Sequence, residues 1–150
     1  MLCMGIDPGR SGAIAVIGMQ SEFVDQCRLS AAPEEICKFV ERYSSRLKIC
    51  ALEKVWSRPG NSARSMFSFG QNFGFVEGVL ARSGIEYELV LPQHWQRLME
   101  CRTGGNKNIT KEAAKVLWPR KRIYHWNADA LLIAEWARRK TTGEFDDEIT

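Results

Sequence analysis

Several things are missing from this sequence, and each absence closes off a class of protein. No apolar run among the 150 residues approaches the roughly 18 that a membrane-spanning helix requires. The opening, MLCMGIDPG, reaches an acid at Asp7 without a basic stretch leading into a long apolar one, so no secretory signal is read and a cytoplasmic location is expected. Five cysteines, at positions 3, 27, 37, 50 and 101, are an odd number without a C-x-x-C pair. They read as scattered reduced thiols, not as a disulfide framework or a zinc knuckle. There is no internal repeat and no low-complexity stretch, and Asn108-Ile109-Thr110 fits the glycosylation sequon, a match read as chance because no export is expected. What remains, 45% hydrophobic and 26% charged residues, is the composition of one soluble domain long enough to bury a core without staples.

Charge is unevenly spread. All 21 Lys and Arg, but only 14 of the 18 acids, fall within residues 1–140, because Glu144, Asp146, Asp147 and Glu148 crowd the end. In 101–140 the bases Arg102, Lys107, Lys111, Lys115, Arg120, Lys121, Arg122, Arg138, Arg139 and Lys140 face only Glu112, Asp129 and Glu135. Such an excess fits a polyanion partner, whose bound counterions are released on binding, and it fits equally well a set of basic helices facing solvent. Residues 1–140 are therefore read as one domain and 141–150 as an acidic, flexible tail.

Along the chain, apolar runs at 2–6 and 12–17 and an alternating run at 22–29 predict an antiparallel meander. Pro33-Glu34-Glu35 opens a helix expected to reach about Leu47, with Ser30 as a capping candidate. Lys48 to Val55 is an apolar strand interrupted by Glu53, and a Pro/Gly loop occupies 56–62. A helix is expected over 63–83, where Gly70, Gly74 and Gly78 recur every four residues and form a stripe able to admit another backbone. A strand at 87–91, helices at 92–100 and 109–117, and a final helix at 127–140 complete a mixed α/β domain with a sheet flanked by helices.

Three acids stand where a core should refuse them: Asp7 at the end of the first strand, Glu53 inside the apolar strand, and Asp129 near the start of the apolar last helix. A buried carboxylate needs a basic partner, a proton or a bound cation. Taken singly, a turn residue, a solvent-facing strand residue and a helix N-terminal charge explain them. Taken together, on separate elements of a basic protein, they point to one site for Mg²⁺ or Mn²⁺, hard cations that take oxygen ligands and complete their shell with phosphate. Two such ions per site would support in-line hydrolysis of a phosphodiester.

M-G-I-D-P-G (4–9) with the strand G-A-I-A-V-I (12–17), A-L-E-K-V (51–55) and N-A-D-A-L-L-I-A (127–134) resemble, in the same order, the motifs of the RuvC family of Holliday-junction resolvases. The likeness is to its compact phage-type members, in which a Gly-rich helix like S-M-F-S-F-G-Q-N-F-G-F-V-E-G (65–78) follows the catalytic Glu, and it extends to about residue 140. The resemblance implies an RNase H-like fold, with an antiparallel meander plus parallel strands flanked by helices. It also implies a homodimer on a four-way DNA junction and a Mg²⁺-dependent crossover junction endodeoxyribonuclease of the bacterial cytoplasm, encoded by a phage or by the cell. It makes Asp7, Glu53 and Asp129 the metal ligands and places a catalytic base-bearing residue at Lys107 or Lys111. The family's fourth acid, three or four residues before the last Asp, is replaced here by Trp126 and His125. His125 is the candidate fourth ligand if the last helix starts early enough to put it on the face of Asp129, and is otherwise a loop residue.

DNA contacts are expected from Arg58, Asn61, Arg64, Phe67 and Phe69, which mix bases with aromatics able to stack on an unpaired base, and from Lys107, Lys111, Lys121 and Arg122 as phosphate contacts. Three other functions fit parts of the pattern. An RNase H-like nuclease of RNA precursors opens with a similar strand-Asp-Gly pattern, a catalytically weak junction-binding module would lack the fourth acid, and an actin-like ATPase fragment would use Asp7 to Gly12 as a phosphate hairpin.

Overall fold

Alternation along the first strand assigns the two faces of the sheet. In the computed structural model, which describes residues 1–54 and 59–145, β1 spans Leu2–Asp7. Met4 and Ile6 enter one core and Cys3 the other, with Gly5 and Asp7 on the side of Cys3. β2 (Ala13–Gly18) pairs antiparallel with β1, and β3 (Phe23–Arg28) antiparallel with β2. β4 (Leu47–Glu53) and β5 (Glu88–Val90) add parallel strands on the other side of β1, giving the order β3-β2-β1-β4-β5.

Helices cover both faces. α1 (Pro33–Tyr43) and the second half of α2 (Ala63–Arg82) bury Ile36, Phe39, Val40, Tyr43, Val76, Val79 and Leu80 against Met4, Ile6, Ile14, Val16, Cys50 and Leu52. On the opposite face lies α5 (His125–Thr141), backed by α3 (Pro92–Leu98) and α4 (Asn108–Leu117). α5 is buried on every side from Asn127 to Ala137 except at Asp129, so it packs as a central helix and not as an amphipathic cover. The strands meet it with Gly5, Ala13, Ala15 and Ala51, side chains small enough to let the helix settle close. At Gly5 the approach is closest: a Cβ there would lie 2.2 Å from the Ala134 nitrogen and 2.4 Å from the Ala130 oxygen.

The expected order of elements holds, and four local expectations change. The first helix ends at Tyr43 and not near Leu47. Ser44 turns its hydroxyl back onto the Glu41 carbonyl at 3.0 Å, a 3₁₀ turn follows at Ser44–Arg46, and Leu47 already belongs to β4. Ser30 caps nothing; the N-cap is Ala32, and Pro33 supplies the preset backbone angle that starts the helix. The last helix begins two residues early, at His125, because the Tyr124 N–H donates to Asn127 Oδ1 at 2.7 Å and Asn127 is itself held by bonds to Gln26 and the Arg122 carbonyl. Finally, among the described residues no atom from outside the helix's own backbone lies within 4 Å of where a Cβ would stand on Gly70, Gly74 or Gly78, so the stripe admits no backbone of another described element. Val55, Trp56 and Arg58 fall outside the described residues.

Of the segment expected as an acidic tail, residues 141–145 lie against the fold, with Glu144 2.9 Å from Arg138 and Phe145 buried; residues 146–150 are outside the described set. All five cysteines are free, and burial pushes Cys3 to about 11 and Cys50 and Cys101 to about 12, which leaves those thiols protonated and inert. Among the described residues no helix is long and apolar enough to cross a membrane.

Gly5 and Gly74 should respond oppositely to alanine. Gly5→Ala drives a methyl into the α5 backbone and is expected to lower unfolding free energy by about 2–3 kcal/mol. Gly74→Ala, in an open helical position, should raise it by roughly 0.5–1 kcal/mol, with chemical denaturation as the measurement.

Candidate active site

The same alternation that splits the core also lines up two of the acids. β1 and β4 run parallel with Gly5 beside Ala51 and Ile6 beside Leu52, so Asp7 and Glu53 follow as the next step at the carboxyl ends of neighbouring strands, on the α5 side. The third acid, Asp129, precedes Ala130, whose carbonyl sits on Gly5, and is thereby delivered to the strand that carries Asp7. Asp7, Glu53 and Asp129 all line one cleft of about 920 Å³, with Lys107 and His125 on its walls.

Each acid is held differently. Asp7 opens a tight loop in which the Gly9 N–H donates to its Oδ1 at 3.0 Å and the Gly12 N–H donates to the Gly9 carbonyl at 2.9 Å. A Cβ on Gly12 would come within 1.9 Å of the Asp7 carbonyl oxygen. Glu53 accepts a bond from the Trp95 indole N–H at 2.7 Å, and Trp95 is fully buried. Asp129 lies in the second turn of α5, one turn after His125, and its Oδ1 is buried with no hydrogen-bond partner among the described residues.

Electrostatics sets the site apart from an ordinary polar surface. Burial first, and then the neighbouring Asp129 charge, push Asp7 up to about 6, against the Gly9 N–H and Lys107, which favour its ionised form. Burial likewise pushes Asp129 up, while the Thr110 hydroxyl, Lys107 and His125 pull it back. Neither Asp7 nor Asp129 takes part in any ion pair among the described residues. Asp7 and Asp129 are thus without a paired positive charge among the described residues, and the orphaned Asp129 oxygen fits a divalent cation. Among the described residues no three carboxylate, imidazole or thiol groups come close enough to enclose an ion unaided.

The remaining candidates divide by location. Lys107, at the start of α4, and Phe69 and Asn61 reach the cleft. Arg64 and the exposed Phe67 line a smaller hollow beside it, which shares Arg10 and Phe69 with the cleft. Lys111 lies one turn beyond Lys107 on α4, and Arg122 is exposed with its guanidinium 5.8 Å from the Tyr124 ring. Lys121 sits 3.8 Å over the Phe23 ring in a separate hollow that shares no residue with the cleft. Arg58 is outside the described residues.

Sequence reasoning passed over Arg10, Lys54, Tyr124 and Thr110, all of which line the cleft, and Trp95 beneath it. Thr110 had a visible but misleading signal as the last residue of the sequon; it is 2% exposed, its hydroxyl bonded to the Lys107 carbonyl. Trp126 packs, stacked on Tyr124 at 5.6 Å and capped by Arg28 at 4.8 Å.

A consequence for stability follows from Asp7. Its folded pKa lies above the 3.8 of an exposed aspartate, so between about pH 4 and pH 6 the folded state keeps a proton that the unfolded chain releases. Stability without divalent ions should therefore fall as pH rises through that window and stay reduced above it. Asp7→Asn keeps an acceptor for Gly9 and removes the charge. It is expected to raise the melting temperature in EDTA by a few degrees at pH 7.5, and by less at pH 4.5. An unchanged melting temperature at pH 7.5 would show that the charge costs the fold nothing.

No family model matches the sequence, and no curated protein sequence matches it. Solved structures do match in three dimensions, RuvC structures among them. Thermus thermophilus RuvC in complex with Holliday junction substrate agrees with a TM-score of 0.72 at 16% identity, over 95% of this chain and 97% of that one. A second Thermus thermophilus RuvC structure gives 0.64 at 18% identity over the same shares. Over that 95% of its length, and with its mixed sheet between two layers of helices, this chain has the RNase H-like fold of RuvC.

Proposed function

We propose that this protein is a structure-selective endonuclease that resolves four-way DNA junctions by metal-dependent phosphodiester hydrolysis, acting as a homodimer. The observation that carries the reading is the meeting of Asp7, Glu53 and Asp129, from three separate elements, in one cleft of a chain folded like the RuvC solved with a Holliday junction.

Asp7, Glu53 and Asp129 would hold Mg²⁺ or Mn²⁺, two ions per site, with His125 as the added ligand in place of a fourth acid. A ligand set this sparse suits Mg²⁺, which keeps several waters and accepts substrate phosphate oxygens. When bound, such ions polarise the phosphate and lower the pKa of water. The chain's own contribution is to gather carboxylates in a partly desolvated cleft, where burial raises the pKa of Asp7 and Asp129 and leaves them in want of a cation, and to set Lys107 beside them as a fixed positive charge for a phosphate. Arg10, Arg64 and Lys107 would bind backbone on either side, and the exposed Phe67 offers a face to an unpaired base. The two-fold partner would sit on the exposed side of α2 around Phe75.

Incubation with a synthetic four-way junction and Mg²⁺ should give paired nicks, with Asp7→Asn, Glu53→Gln and Asp129→Asn reduced to background. Uptake of a proton by Asp7 should make cleavage fall as pH drops through about 6, and the fall should move to lower pH as the ion concentration rises. Light scattering should report a dimer. Tight junction binding without cleavage would select the catalytically weak binding module, and preferential cutting of RNA would select the RNA nuclease.

A further inference from the structure

We infer that Trp95 is a positioning residue for the ion-binding carboxylate of Glu53, an inference that rests on reading Glu53 as a metal ligand. Local sequence puts it there. β5 ends at Val90, Pro92 presets the backbone for the first turn of α3, and the third residue after that proline turns inward. Trp95 is wholly buried in the core that α5 shares with the sheet, and its Nε1–H lies 2.7 Å from Glu53 Oε2.

The choice of donor matters. An indole offers one N–H and no acceptor, so it demands that the partner oxygen accept and carries no charge of its own. Lysine or arginine in that place would bring a positive charge to Glu53; tryptophan orients it and adds none. A buried indole N–H usually finds some acceptor, and Trp118 in the same core takes the ordinary solution, the Ser21 carbonyl at 2.7 Å. Trp95 uses the acid of the cleft instead. A flexible glutamate is thereby fixed at the end of β4 by a rigid ring seated in the core, the arrangement by which outer-shell groups tune metal affinity.

The test is Mn²⁺ binding by calorimetry to the full-length, DNA-free protein. Trp95→Phe keeps most of the ring volume and loses the donor, and it should weaken Mn²⁺ by about tenfold or more. The loss should disappear in the Glu53→Gln background, since the indole acts through that carboxylate. A loss of equal size in that background, or affinity within twofold of the parent, would reduce Trp95 to packing. If Trp95→Phe fails to fold, the parent protein decides by NMR: the Trp95 indole N–H signal should shift on adding Mg²⁺, and a signal left unmoved while that of the cleft residue Trp126 shifts would overturn the inference. A parent that binds no Mn²⁺ at millimolar concentration would overturn this inference and the metal reading together. A parent that binds Mn²⁺ but cuts no junction would overturn the proposed function alone.

Discussion

Everything in this molecule that bears on chemistry depends on how closely α5 lies on β1. A helix normally stands off a sheet by the thickness of its side chains, but here the backbone of Ala130 and Ala134 occupies the space that a Cβ on Gly5 would fill. The alanines of β2 and β4 extend that flat bed to either side. Asp129, one residue before the point of contact, is carried down to the strand end that holds Asp7, and the parallel register of β4 brings Glu53 alongside. A larger residue at one position in β1 would separate acids that lie more than a hundred residues apart in the chain.

This closeness has an electrostatic cost that the rest of the core must offset. The Asp129 charge raises the pKa of Asp7, burial raises that of Asp129 itself, and an oxygen of Asp129 is buried without a hydrogen-bond partner among the described residues. The fold places its best-satisfied charges elsewhere. Glu135, 1% exposed on the same helix, receives three bonds from Arg138 and Arg139 at 2.8–3.0 Å. One end of α5 is therefore fully compensated and the other is left in need of positive charge.

Much of this was readable beforehand, for a simple reason. Asp7, Glu53 and Asp129 break apolar runs, and a carboxylate in such a run needs an explanation whatever the fold. His125 could be placed conditionally, because i and i+4 share a helix face, and the condition was met by the early start that Asn127 enforces. Trp95 was invisible because it is a core residue by every local criterion, and its one polar atom meets an acceptor 42 positions away. The α2 glycines were correctly periodic, yet periodicity does not say which way a stripe faces, and this one faces out. Counting bases in 101–140 overstated the surface charge, since Arg138 and Arg139 serve Glu135, and Lys121 lies over Phe23. A tally of charges cannot distinguish cations turned outward from those used internally.

The loop after Asp7 carries a last implication, for how such a protein can diverge. Pro8 is buried, Gly9 has only 3.1 Å between its missing side chain and Asp7 Oδ1, and Gly12 has no room for any substituent. That leaves Arg10 and Ser11, both exposed and both facing the cleft. Drift within this hairpin tip is channelled into the two places where a new side chain would face the cleft, so the lining of the cleft can change there while the framework around the acid stays fixed.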